Sequence, residues 1–119
     1  MERKLERLKK ANELIKVIKV NGRKFFESDN GHNTRLYIND KGNIYYVDNY
    51  TGKHICIRGK WIHSSDFSHG GGLNEFIRSL VRYVRAGRMV DKEWLGQHWG
   101  YGEEIHAVRD KAEQIGFAG

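Results

Sequence analysis

The sequence predicts an α+β fold, in which an N-terminal helix precedes an antiparallel β-meander of three to five strands and two C-terminal helices pack on the sheet. β-Branched and aromatic residues between positions 15 and 58 occur in short runs separated by turn residues. Later in the chain, apolar residues recur three and four positions apart. The 119 residues suffice for one hydrophobic core and are too few for two ordinary ones. We therefore expect a single domain over residues 1–119.

The first segment reads as a helix with a thin apolar stripe. Leu5, Leu8, Asn12 and Ile15 fall on one face, and the remainder is Lys, Arg and Glu. The run IKVIKV (15–20) then changes to β-branched residues near period two and meets Asn21-Gly22, which favours a type I′ turn. With RKFFES (23–28) it predicts a β-hairpin.

Three further runs predict the strands of the meander. They are TRLYI (34–38), NIYYVD (43–48) and KHICIR (53–58), separated by NDKG and NYTG at hairpin length. Alternation places six residues on one face, namely Leu36, Ile38, Ile44, Tyr46, Ile55 and Ile57. The other face would hold Tyr37, Tyr45, Val47, His54 and Cys56.

Two helices are predicted after the strands. The second helix of the chain has an apolar face of Leu73, Phe76, Ile77, Leu80, Val81 and Val84, and Gly87 stands where a C-terminal cap glycine would. The third begins with Glu103 and Glu104, whose charge suits a helix N-terminus, and ends at Gly116. Its apolar face is Ile105, Val108, Ala112 and Ile115.

The charge balance favours an anionic partner. Lys and Arg number 21 against 15 Asp and Glu, a formal net charge of +6. The excess is concentrated in residues 1–28 and 59–90, whereas residues 91–119 are acidic. Such a field attracts nucleic acid or an acidic protein surface, and it has the wrong sign for a DNA mimic.

The sequence also indicates a cytoplasmic protein. Cys56 is the only cysteine, which excludes an internal disulfide and a thiolate-rich zinc site. No apolar run is long enough to span a membrane, and MERKLERLKK lacks the apolar segment of a signal peptide. We expect no membrane association.

A row of arginines on the second helix is the principal candidate site. Arg78, Arg82 and Arg85 are spaced four and three apart without a balancing acid in the row, and Arg88 follows the helix. A solvated polar face is the plain alternative, but guanidinium groups in a row suit phosphates or carboxylates. The full set of candidate binding residues is Arg78, Arg82, Arg85, Arg88, Lys9, Lys10, Tyr45 and Trp61.

The glycines of SHGGG introduce that helix. Gly70, Gly71 and Gly72 serve mainly to turn the chain from loop to helix, and an anion contact through their backbone N–H groups is the alternative. The motif lacks the Lys-Ser/Thr of a phosphate-binding P-loop.

Catalytic and metal signatures are incomplete. His63 and His69 flank Asp66, but their spacing matches no recognised metal motif, and no G-x-S-x-G elbow accompanies HGGG. A small hydrolase or nuclease built on these three residues is the weakest hypothesis. We expect no enzyme, no cofactor, no metal and no small-molecule substrate.

Tyrosines of the meander give a second candidate surface. Tyr37, Tyr45, Tyr46 and Tyr50, with Lys41, Lys53 and Arg58 nearby, could stack bases and contact phosphates. Cross-strand aromatic packing is the alternative.

Three stretches carry a family resemblance. FSHGGGL (67–73), WGYGEEIHAVRDKAEQIG (99–116) and GNIYYVDNYTGKHI (42–55) resemble small accessory proteins encoded by phages and prophages, while the first 28 residues fall outside the resemblance. No catalytic or binding residue is carried over from that group. The resemblance implies a protein that acts in the cytoplasm of a bacterial host cell, where it regulates genes or disables host defence.

Together these observations favour a non-enzymatic inhibitor or modulator of a host nucleic-acid-handling complex, in the manner of an anti-CRISPR or other anti-defence protein. Its partner would be a host protein or ribonucleoprotein. The alternative is a regulatory protein that binds DNA or RNA directly through the same basic and aromatic surface.

Overall fold

The protein has the α+β architecture that the sequence predicts. In chain order, one helix precedes the strands and the other helices follow them. The computed structural model describes residues 2–20, 34–48, 52–57, 71–95 and 102–119. The elements are helix α1 (Glu2–Val20), strands β1 (Arg35–Ile38), β2 (Ile44–Val47) and β3 (His54–Cys56), helix α2 (Gly71–Ala86), a 3₁₀ helix (Lys92–Trp94) and helix α3 (Glu104–Gln114). None of the helices in these ranges is both long and apolar enough to cross a membrane.

Helix α1 is longer than the sequence predicts. The run 15–20, predicted as the first strand of a hairpin, instead completes α1. Ala11, Leu14, Ile15 and Ile18 repeat at helical spacing and all four are buried. β-Branched residues cost only a few tenths of a kcal/mol each in a helix, whereas burying an Ile side chain contributes about 1.5–3 kcal/mol. Residues 21–28, the rest of that predicted hairpin, lie outside the described residues.

The three later strands form an antiparallel sheet in the order β1-β2-β3. Leu36 pairs with Tyr46, and Tyr46 pairs with Ile55, so these three share one face. That face is buried in the core, which confirms the predicted division of the sheet into two faces. Asn39 closes the first turn, because its Oδ1 accepts hydrogen bonds from the backbone N–H groups of Lys41 and Asn43.

Helix α1 lies at the centre of the fold, against β1, α2 and α3. The core face of the sheet and the apolar faces of the three helices contribute to one hydrophobic cluster. Asn12 joins α1 to the outer edge of β1: its Nδ2 donates to the Leu36 carbonyl (2.9 Å) and its Oδ1 accepts from the Leu36 N–H (2.8 Å). The side-chain amide therefore substitutes for a neighbouring strand.

Two sets of hydrogen bonds cap the C-terminus of α2. Gly87 has φ +69°, the left-handed conformation that ends many helices, and its N–H donates to the Tyr83 carbonyl, which confirms the predicted cap. From α1, Arg7 donates through Nε to the Val84 carbonyl (2.9 Å) and through Nη2 to the Arg85 carbonyl (3.2 Å). These two carbonyls are among the groups that a helix end leaves without an intrahelical donor.

Residues after α3 hold the segment that follows α2. Ile105, Val108 and Ala112 of α3 are buried, as predicted for the apolar face of this helix. Beyond it, the Val90 N–H donates to the Phe117 carbonyl (2.8 Å) and the Gly119 N–H donates to the Val90 carbonyl (3.0 Å). This short parallel pairing fixes residues 88–92 alongside α2.

Candidate binding groove

A groove runs along α2, between this helix and the segment 88–94. It consists of two hollows of about 520 and 640 Å³ that share Arg78, Ser79, Arg82 and Val90. One end also contains Glu75, Asp91 and Trp94, and the other contains Arg88 and Met89. We call this feature the α2 groove, defined by Glu75, Arg78, Ser79, Arg82, Arg88, Met89, Val90, Asp91 and Trp94.

Local sequence explains why these side chains meet. Phe76, Leu80 and Val84 turn one face of α2 into the core, so Arg78 and Arg82, four residues apart, lie together on the groove side. On the opposite wall, Asp91 is extended (φ −67°, ψ 128°), and its carboxylate accepts a hydrogen bond from the Glu93 N–H. This cap begins the 3₁₀ helix that presents Trp94 to the groove.

Trp94 is placed by an aromatic contact with the core. Its ring lies parallel to that of Phe76, at an angle of 9° and a centroid distance of 6.5 Å. Even so, 40% of Trp94 and 62% of Met89 are exposed. Exposed Trp, Met and Arg are the residue types enriched at the centres of protein interfaces.

The charge of the groove changes along its length. Arg82 and Arg88 are exposed, and within the part of the chain that the structure describes neither has an ion-pair partner. Glu75 and Asp91 lie at the Trp94 end. The groove is therefore cationic beside Met89 and mixed beside Trp94, which suits a ligand with anionic groups at defined positions.

Arg85, predicted to act with the row, has a different contact. Its Nη2 donates to the Ile57 carbonyl at 2.7 Å, which ties the last turn of α2 to the end of β3. Arg85 does not border either hollow of the α2 groove. The row of three arginines is thus divided between a groove and a structural hydrogen bond.

The remaining predicted binding residues are dispersed or lie outside the described residues. Lys9 and Lys10 are exposed on α1, and Lys9 borders a separate hollow with Leu5. Trp61 and Gly70 fall outside the described ranges. Gly71 and Gly72 are the first two residues of α2, and an anion contact there stays a prediction.

Tyr45 lies on the outer face of the sheet, among its neighbours. Its ring stacks on Tyr37, with centroids 5.2 Å apart and planes 9° apart. Tyr37 in turn has Arg35 over its ring at 5.6 Å, and its hydroxyl is 2.7 Å from His54 Nδ1. The rings of this face pack on one another, which is the cross-strand alternative that the sequence left open. Tyr46 belongs to the core face, and Tyr50 and Arg58 are outside the described residues.

Two buried tyrosines have raised pKa values. Burial raises the pKa of Tyr46 well above its usual value, and the Asp48 carboxylate adds to the effect. Burial also raises the pKa of Tyr83, against the opposing charge of Arg7, and the Tyr83 hydroxyl donates to the Ile115 carbonyl. Both tyrosines belong to the hydrophobic core, and neither borders the α2 groove.

The hydrolase hypothesis depends on residues beyond the described ranges. His63, Asp66 and His69 all lie between residues 58 and 70, so their arrangement stays a prediction. In the ranges that the structure does describe, no three His, Cys, Asp or Glu side chains come together as a metal-binding group.

Sequence reasoning missed Met89 and Val90 as site residues. Neither belongs to a periodic pattern, and both enter the groove because residues 117–119 hold their segment against α2. An apolar pair directly after Gly87-Arg88, beyond a helix end, was the available signal.

Comparison with known proteins shows that the sequence is similar to a prophage-derived protein. Residues 1–119 match the model of the family described as YoqU. The SPbeta prophage-derived uncharacterized protein YoqU of Bacillus subtilis (strain 168) is 27% identical over 119 residues, which cover 98% of this chain and 85% of that protein. The family match includes the first 28 residues, which the resemblance in the sequence had left out. No solved structure matches the chain.

Proposed function

The chain belongs to the YoqU family, and we propose that it is a non-enzymatic, prophage-type modulator that binds a host nucleic-acid-handling complex through the α2 groove. One observation carries the proposal: Arg82 and Arg88, two exposed cations, adjoin the exposed Met89 in a hollow of about 640 Å³. Such a site can bind carboxylates and bury apolar surface together.

The mixed charge of the groove favours a protein partner over nucleic acid. Phosphates follow one another closely along a nucleic acid strand, and Glu75 and Asp91 would repel them at the Trp94 end of the groove. A protein surface can instead offer carboxylates to Arg82 and apolar side chains to Trp94. An acidic patch on a nuclease or other nucleic-acid-binding protein fits this chemistry. In this mode of binding the chain does not need to imitate the negative charge of nucleic acid.

The prophage-derived relative supplies the biological context of the proposal. A prophage protein of this kind would act in the host cytoplasm on restriction, CRISPR-type or regulatory complexes, as an anti-defence protein does. The net charge of +6 would speed association with an acidic partner.

The test is capture of partners from a host lysate, with and without nuclease treatment. We expect wild-type protein to retain the same host protein in both conditions and the double variant Arg82→Glu/Arg88→Glu to lose it. Lys9→Glu/Lys10→Glu is the matched control, since it makes the same change in charge on α1, and it should retain the partner. Expression of wild-type protein should also change phage or plasmid survival against a restriction or CRISPR-type system, and the groove variant should not.

Two results would contradict the proposal. If capture disappears after nuclease treatment and purified protein binds DNA or RNA with an affinity that falls steeply with salt, the direct nucleic-acid-binding alternative is correct. If the groove variant and the control behave alike, the α2 groove is not the binding surface.

A further inference from the structure

The extended segment Met89–Asp91 forms one wall of the α2 groove and is paired along one side. Val90 uses both its N–H and its carbonyl on residues 117–119, and the Lys92 N–H donates to the Gly119 carbonyl. In an extended chain, successive residues direct their backbone groups to opposite sides. The backbone groups of Met89 and Asp91 are therefore directed away from residues 117–119.

On its opposite side, this segment has backbone groups without a hydrogen-bond partner in the described part of the chain. Among the described residues, neither backbone group of Met89 has a partner, and the same holds for the Asp91 N–H, while the Asp91 carbonyl accepts from Trp94. Because Met89, Val90 and Asp91 all border the groove, this edge is accessible from it. An edge with unused N–H and carbonyl groups is a template for another strand.

We propose that the α2 groove takes its partner as an extended acidic peptide segment, added as a strand to Met89–Asp91. This inference rests on the proposed function and specifies how the partner binds. Backbone hydrogen bonds to Met89 and Asp91 fix the register of the segment, as in other cases of strand addition. Its acidic side chains contact Arg82 and Arg88, and an apolar side chain packs on Trp94.

The dimensions and charges of the groove fit this occupant. An extended segment presents alternate side chains to the same face, so acidic residues two apart can both reach the arginines of α2. The two hollows share Arg78, Ser79, Arg82 and Val90, so they adjoin each other beside α2. A helix in the groove would leave the edge of Met89–Asp91 without partners.

The test is amide hydrogen exchange, measured by NMR on the whole chain with a short blocked peptide of alternating glutamate and valine as the probe. We expect the Met89 and Asp91 amides to exchange on the order of tenfold more slowly with the peptide bound. The Val90 and Gly119 amides are internal controls, since they already donate to backbone carbonyls, and their exchange should change little. A peptide with lysine in place of glutamate should not bind.

Side-chain variants test the charge component separately. Arg82→Gln and Arg88→Gln should each weaken binding of the glutamate–valine peptide about two- to fivefold, and Lys10→Gln on α1 should leave it unchanged.

Three outcomes would overturn the inference. The first is a peptide that binds without slowing exchange at Met89 and Asp91, and the second is no binding of the glutamate–valine peptide at all. The third is protection of these two amides that rises with protein concentration in the absence of peptide, because a second copy of the chain would then occupy the edge. In each case the proposed function survives if Arg82→Glu/Arg88→Glu still abolishes capture of the host protein.

Discussion

At the scale of single residues, the arginines of α2 show how a fold assigns different tasks to identical side chains. Arg78 and Arg82 border the α2 groove, whereas Arg85 donates to the carbonyl of Ile57, a buried residue 28 positions earlier in the chain. The three arginines are four and three positions apart, so the sequence alone does not distinguish them. The difference comes from β3, which ends beside the last turn of α2.

Arg85→Ala and Arg82→Ala should therefore separate stability from binding. Arg85→Ala removes the donor to the Ile57 carbonyl and should lower the free energy of unfolding by about 1 kcal/mol. Arg82→Ala removes an exposed side chain and should change it by less than about 0.5 kcal/mol. Urea unfolding measures both values, and capture of the host partner should weaken for Arg82→Ala and stay unchanged for Arg85→Ala. Equal destabilisation by the two variants would contradict the assignment.

At the scale of elements, the sequence predicts most of the helices and strands but errs where two patterns compete. The run 15–20 alternates in β-branched residues, yet Ala11, Leu14, Ile15 and Ile18 also repeat at helical spacing, and their burial against the core decides for the helix. The strands and α2 are predicted correctly because each carries one pattern only. The groove could not be predicted, since its wall at Val90 depends on hydrogen bonds to residues more than 25 positions away.

Asn12 connects two elements, and its removal should weaken both. Asn12→Ala leaves the N–H and carbonyl of Leu36 without their partner at the edge of β1, and we expect the free energy of unfolding to fall by about 1–3 kcal/mol. Lys16→Ala, an exposed position on the same helix, is the control and should have little effect. Chemical denaturation of the two variants provides the measurement, and the edge contact is unimportant if their midpoints coincide.

At the scale of the whole molecule, the acidic residues of α3 lie away from the α2 groove. Helix α3 carries several acidic residues but lies against α1. Glu113 of α3 pairs with Lys92 (3.1 Å), and Lys111 of α3 pairs with Glu13 of α1 (3.2 Å). Although residues 91–119 are acidic overall, no residue of α3 borders the groove.

Two tyrosines of the core, Tyr46 and Tyr83, should make the folded state less stable at alkaline pH. Tyr46 and Tyr83 have pKa values above the usual value of about 10, so the folded state holds their protons more tightly than the unfolded state. Their contribution is fully present below about pH 10 and is lost as the pH rises towards the folded-state values. We expect the unfolding midpoint to fall above about pH 10, less steeply in Tyr83→Phe. Equal slopes for wild type and Tyr83→Phe would exclude a role for Tyr83.

The pairing of Val90 with residues 117–119 also orders events during synthesis. Until Phe117 and Gly119 have emerged from the ribosome, the Val90 N–H and carbonyl lack the partners that hold their segment beside α2. Arg78 and Arg82 are translated well before that moment, so the cations exist before the wall opposite them does. The wall of the groove at Val90 is thus completed only after residues 117–119 are made, later than the arginines opposite it.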